Sequence, residues 1–212
     1  MRFITHAAAA VMCAAVMVTA SADTPTAQRF PASTMENVTP EARALAAQIM
    51  KVSSVGLAGP YNPLLRSPVL GQRMFDLLDY LRWNSSVPTR LNEFAILIIG
   101  RQWRSQVEWY SHGPIALKAG LSQKVIDELR QNQRPVSMQA DEAVVYDFVT
   151  ELTTNRDVSD ATYARAKALL GEQGVVDLTA TAGTYVSVAM LIAMAREMPP
   201  AGKELPFKAG DP

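Results

Sequence analysis

The chain has 212 residues, 49% of them hydrophobic and 19% charged, a composition that excludes intrinsic disorder and leaves enough apolar material for one packed core. Its 20 basic residues equal its 20 acidic ones, so no bulk charge draws it to nucleic acid or to anionic lipid. The expected partners are a small molecule and further copies of the same chain.

Arg2 supplies a short positive segment, residues 3–19 are dominated by Ala, Val and Met, and Ala20-Ser21-Ala22 has the small-x-small form that a signal peptidase cuts. Residues 1–22 therefore read as a signal peptide, which places the protein in the periplasm or outside the cell. An uncleaved anchor and a lipoprotein carried on Cys13 are the alternatives. Cleavage removes Cys13, the only cysteine, and His6, leaving His112 as the single histidine. A mature chain without thiols forms no disulfide and runs no thiol redox chemistry.

Residues 23–38 are polar and aperiodic, an extended lead-in. Thr39-Pro40-Glu41 opens a first helix with a capping Thr and a proline at its first position, and Leu45, Ile49 and Val52 share one face. Residues 53–67 form a long Gly- and Pro-containing loop in which Tyr61 and Asn62 are candidates to line a pocket. Pro68 to Trp83 is a second helix, with Leu70, Met74, Leu77, Leu78 and Leu81 at helical spacing. Pro88 opens a third, central helix expected to run unbroken to His112 and to be stopped by Gly113-Pro114. On it Ile96, Ile99, Trp103, Val107 and Tyr110 form one stripe, and Phe94, Leu97, Arg101, Ser105, Glu108 and His112 another.

A short helical piece at 115–119 follows, then a helix over Lys124–Arg130 behind the Gly120-Leu121-Ser122 cap. Helices over Asp141–Thr153, from the Ser159-Asp160 cap to Gly171, and over Val175–Met198 complete the series. The last is long and apolar, but Asp177, Thr179, Thr181 and Thr184 mark it as a core or interface helix and not a membrane span. No segment shows sustained period-two alternation, so the expectation is an all-α domain of about seven or eight helices over residues 39–200, with 201–212 a loose polar tail. There is no Gly-rich phosphate loop, dinucleotide fingerprint or internal repeat.

Glu108 and His112 stand four residues apart, so on a helix their side chains share a face and can hydrogen-bond. A carboxylate on one imidazole nitrogen fixes the tautomer and leaves the other to transfer a proton, and the end of the central helix would favour the imidazolium. The structural alternative is an ordinary intrahelical Glu–His pair. A metal site would need further carboxylate ligands, and a serine triad lacks its G-x-S-x-G elbow. Arg101 and Arg104 are candidates to hold a substrate carboxylate by a two-pronged contact. Trp103, Trp109 and Tyr110 read as core or subunit-contact aromatics.

The stretch PTRLNEFAILIIGRQWRSQVEWYSHGPIALKAGLSQKVIDELR resembles the carboxymuconolactone decarboxylase-like family, and the similarity extends to GPYNPLLRSP before it and to DEAVVYDFVTEL and VSDATYARAKALLGEQGVVDL after it. The resemblance implies the AhpD-like all-helical fold. One branch of that family is a disulfide reductase built on a C-x-x-C-x-x-x-H motif; this chain carries Ser105 and Glu108 where those cysteines stand, which departs from that activity. The other branch implies a cofactor-independent decarboxylase or related lyase, assembled as a dimer, trimer or hexamer through its long helices. Its site would fall on Glu108 and His112, with Arg101, Tyr61 and Asn62 against the substrate, a small unsaturated lactone or carboxylic acid. The other readings are a non-catalytic helical oligomer that binds a small apolar ligand, and a metal-dependent enzyme using Glu108 and His112.

Overall fold

The computed structural model describes residues 27–208, and the proposed signal peptide lies outside them. Within that range the protein is all-α. Its helices are α1 (Pro40–Val52), α2 (Tyr61–Leu64), α3 (Pro68–Asp79), a π-helical turn (Tyr80–Asn84), α4 (Thr89–Gln102), α5 (Gln106–Lys118), α6 (Gln123–Arg130), α7 (Ala140–Thr154) and α8 (Asp160–Ala195).

The starts follow local chemistry. The side chains of Thr39, Ser122 and Ser159 accept the backbone N–H groups of Ala42, Val125 and Thr162, and Gln139 and Glu142 form a reciprocal capping box at α7. Within α8, Gly171 has φ 71° and ψ 177°, a backbone conformation open essentially to glycine, and divides an amphipathic first part from the apolar second part, as expected. Gly71 of α3 is needed for a close approach, because a Cβ there would sit 2.7 Å from the Leu64 carbonyl oxygen.

Helix α4 is the axis of the fold. Every residue from Leu91 to Arg101 is buried, and the helix packs against α5, α7 and α8. A helix that is apolar all round belongs at the centre of a core, where burial of its Phe, Leu and Ile side chains contributes about 1.5–3 kcal/mol each. A smaller core joins α1, α2 and the lead-in through Val38, Leu45, Ile49 and Leu64. Of the apolar residues at helical spacing on α1 and α3, Val52, Leu70 and Leu77 are exposed. Helix α8 is long and apolar enough to cross a membrane by composition, yet half of that window is buried within the protein.

Buried polar groups tie the helices at fixed points. Asn92 of α4 donates to the Leu81 carbonyl at 3.0 Å and accepts from Thr181 of α8 at 2.9 Å. Asp177 of α8 accepts from the Ser86 N–H and hydroxyl, both at 2.8 Å, and from the Tyr80 hydroxyl at 3.2 Å. Together they clamp the π-helical turn between α4 and α8.

Both flanks are docked, contrary to the expectation of a loose tail. Arg29 N–H donates to the Ala195 carbonyl at 3.0 Å, and Ser33 donates to Asn62. Phe207 is 2% exposed, packs edge-on against Trp109 with ring centroids 5.1 Å apart, and exchanges two backbone hydrogen bonds with the Gln106 amide. The composition of the tail is polar; its single aromatic residue decides its placement.

Candidate active site

The helix expected from Pro88 to His112 is broken. After Gln102 the chain turns through Trp103 and Arg104, whose φ of 49° is left-handed, and the Ser105 N–H closes back on the Gly100 carbonyl at 2.8 Å. This is a helix C-terminus capped without glycine, at a conformational cost of about 1–2 kcal/mol for the arginine. Helix α5 then runs back along α4, with Glu108 in its first turn. It continues through Pro114, which was expected to stop it, to Lys118.

The reversal changes the partner of His112. Its Nδ1 lies 2.6 Å from Oε2 of Glu93, on α4, and both side chains are buried. Glu108 makes no hydrogen bond with His112, and the C-terminal helix dipole expected to favour the imidazolium is absent because His112 sits mid-helix. The Glu93 contact does what was expected of Glu108: it fixes the imidazole tautomer and leaves Nε2 for transfer. Tyr185 of α8 closes the other side, its ring edge-on to the imidazole at 5.1 Å.

Glu108 is the anomaly. It is 2% exposed, and neither carboxyl oxygen has a hydrogen-bonding partner among the described residues. Burial pushes its pKa from 4.5 to about 8; the Ser105 hydroxyl opposes the rise but falls short of hydrogen-bonding geometry. The N-terminal dipole of α5 favours a carboxylate by about 0.3–1 kcal/mol, while losing water costs an ionised carboxylate several kcal/mol, so the neutral acid wins at neutral pH. A buried acid without partners in the fold is a group held ready for something else.

Glu108 and His112 face one cavity of about 50 Å³, closed by Val107, Val188 and Ile192 on its apolar sides and by Tyr61, Arg82, Ser53, Ser54 and Ser111 on its polar ones. That volume holds a few waters or a small organic group and falls far below the about 300–1,000 Å³ of drug-sized and cofactor sites. A wider groove of about 430 Å³ between α5, α6 and the tail holds no histidine and no buried carboxyl.

Of the expected site residues, the structure brings Glu108, His112 and Tyr61 together and leaves two elsewhere. Arg101 is buried in the last turn of α4, outside the cavity lining, where its Nε donates to the Arg130 carbonyl at 2.9 Å and its guanidinium lies 5.2 Å from the Phe207 ring centre. Asn62 lies behind the cavity wall, donating to Glu197 at 2.7 Å and accepting from Ser33. Sequence reasoning missed Glu93 and Arg82. Glu93 did leave a signal, a lone acid at the head of the apolar run Phe94–Gly100. No cluster of three or more His, Cys, Asp or Glu side chains able to hold a metal ion occurs among the described residues.

The overall architecture recurs in known structures. The chain superposes on a peroxidase-related protein from Ralstonia eutropha JMP134, described as an alkylhydroperoxidase AhpD core, with a TM-score of 0.68 over 82% of this chain and 93% of that one. The fold is AhpD-like. A peroxidase-related protein from Silicibacter sp. TM1040 matches with a TM-score of 0.66 over 84% and 94% of the two chains. Identities of 12% and 14% make this a likeness of fold alone. No protein-family model and no curated protein matches the chain. In this version of the AhpD-like fold, residues 27–208 contain no cysteine.

Proposed function

We propose that this chain is a cofactor-independent decarboxylase or related lyase, acting on a small unsaturated lactone or carboxylic acid by proton transfer. The observation that carries the reading is the convergence on one small cavity of an imidazole oriented by a buried carboxylate, His112 on Glu93, and of an unpartnered acid, Glu108. In an acid conjugated to a carbonyl, the bond to the carboxylate carbon breaks and its electron pair passes to the carbonyl oxygen. Carbon dioxide leaves and a dienolate remains. His112 then delivers a proton to the dienolate carbon and regains one from water, so that each turnover consumes one proton. Glu108, neutral at neutral pH, donates a hydrogen bond to the carbonyl oxygen on which charge develops. General acid help of this kind is worth about 10² to 10⁴ in rate.

The N-terminal pattern supports action outside the cytoplasm. The uncharged outer stripe of α8, which includes Val176, Gly183, Met190 and Met194, supports self-association. The test is a panel of unsaturated lactones and keto acids with carbon dioxide release as the readout, run on the wild type and on His112→Ala. Turnover by the wild type that is lost in a folded His112→Ala protein supports the assignment. Unchanged turnover in the variant removes His112 from the mechanism, and binding without turnover of any compound favours the non-catalytic ligand-binding reading.

A further inference from the structure

Arg82 belongs to the π-helical turn that Asn92 and Asp177 clamp, and π-helical turns occur disproportionately at functional sites. Its guanidinium stacks over the Trp83 ring at 4.7 Å from the centroid, which holds the planar fork in a fixed orientation. Its Nε is buried and has no hydrogen-bond acceptor among the described residues. It forms no ion pair there either: the acids that take part in ion pairs do so with other cations, and Asp79, on the adjoining turn, is not within ion-pair distance.

What Arg82 does face is the cavity and two buried phenols. Burial pushes the Tyr61 hydroxyl up and the Arg82 charge pulls it back; for Tyr185 burial pushes the pKa well up, with Arg82 again the leading opposing charge. Both phenols stay neutral and do not neutralise the guanidinium. The Glu108 carboxyl across the cavity is held protonated near neutral pH and does not neutralise it either. A half-buried arginine whose Nε is enclosed without a partner and an unpartnered buried acid thus share one cavity of about 50 Å³.

We propose that Arg82, with the Tyr61 hydroxyl beside it, is the subsite that takes the carboxylate of a small organic acid in this cavity. The guanidinium presents paired N–H groups to the two carboxylate oxygens, the match in shape and charge that arginine makes with carboxylates. The apolar walls from Val107, Val188 and Ile192 take the short carbon chain. This deepens the lyase reading and rests on it for placing the reacting carbon near His112. It assigns the carboxylate contact to Arg82 in place of Arg101, whose side chain is committed elsewhere.

The test is binding of crotonate and of the isosteric neutral crotonamide to the full chain, by calorimetry and by the imidazole NMR signal of His112. Crotonate should bind wild type about tenfold or more tightly than crotonamide, Arg82→Gln should erase that preference, and Arg82→Lys should restore it in part. Equal affinity of wild type for the two probes overturns the proposal without recourse to any variant, as does undiminished crotonate binding by Arg82→Gln. Preference for crotonate that depends on Arg82, in a protein that decarboxylates nothing, upholds the subsite while the lyase reading falls. Turnover of an unsaturated acid with KM unchanged in Arg82→Gln does the reverse.

Discussion

Replacing Glu108 by Gln should change how stability depends on pH. In the native protein the Glu108 carboxyl, 2% exposed, keeps its proton up to about pH 8, whereas in the unfolded chain it gives that proton up near 4.5. The native state therefore holds the extra proton between those values, and stability falls as pH rises through the window. The contribution is complete below the unfolded pKa and is gone above the folded one. At about 1.4 kcal/mol per pH unit, the wild type should lose on the order of 3 kcal/mol relative to Glu108→Gln between pH 5 and pH 8. Gln keeps the shape and never ionises, so all other titrating groups cancel in the comparison. Urea unfolding followed by circular dichroism at several pH values measures it: the two midpoints should separate steadily from mild acid to about pH 8 and keep a constant gap above it, the variant unfolding later. Parallel profiles, or a wild type that gains on the variant as pH rises, would refute the buried neutral acid.

Two further outcomes follow from the same geometry. Glu93→Gln replaces the carboxyl group that His112 Nδ1 contacts and should cost about 1–3 kcal/mol in chemical denaturation, together with a changed His112 tautomer signal by NMR. Phe207→Ala removes the ring between Trp109 and Arg101 and should destabilise by about 3 kcal/mol, the range for truncating a buried phenylalanine, read as a lowered urea midpoint.

Periodicity and caps made the all-α class and most helix positions legible, because Thr39, Ser122, Ser159 and Gly171 act through local backbone chemistry that does not depend on the rest of the fold. The break between α4 and α5 was not legible. Trp103-Arg104-Ser105 contains neither glycine nor proline, and Arg104 takes a left-handed φ, which local preference disfavours, where the Ser105 N–H closes on the Gly100 carbonyl. Pro114 misled in the opposite sense, since the packing of Trp109 and Ala116 sustains α5 despite one missing N–H. That pair of errors explains the site. Glu108 and His112 were found because they are chemically conspicuous, but Glu93 reaches His112 across 19 positions of chain only once the hairpin has closed. Arg82 gave less warning still, its role depending on a π-helical turn that no spacing rule anticipates.

The docking of Phe207 has a consequence for motion. Gln106 and Phe207 are separated by 101 residues, and their two hydrogen bonds join the Arg101 and Trp109 contacts and the Arg104 donation to the Lys208 carbonyl in tying the tail to the joint between α4 and α5. A short terminal segment docked over so long a loop is the kind that detaches first in a partial opening and reseats last. Amide exchange at Ser105 and Gln106 should then be governed by release of the tail and not by global unfolding. The helix start that carries Glu108 would be periodically loosened while α4 and α8 remain intact, so that the mobility of one wall of the cavity is set by a segment that does not line it.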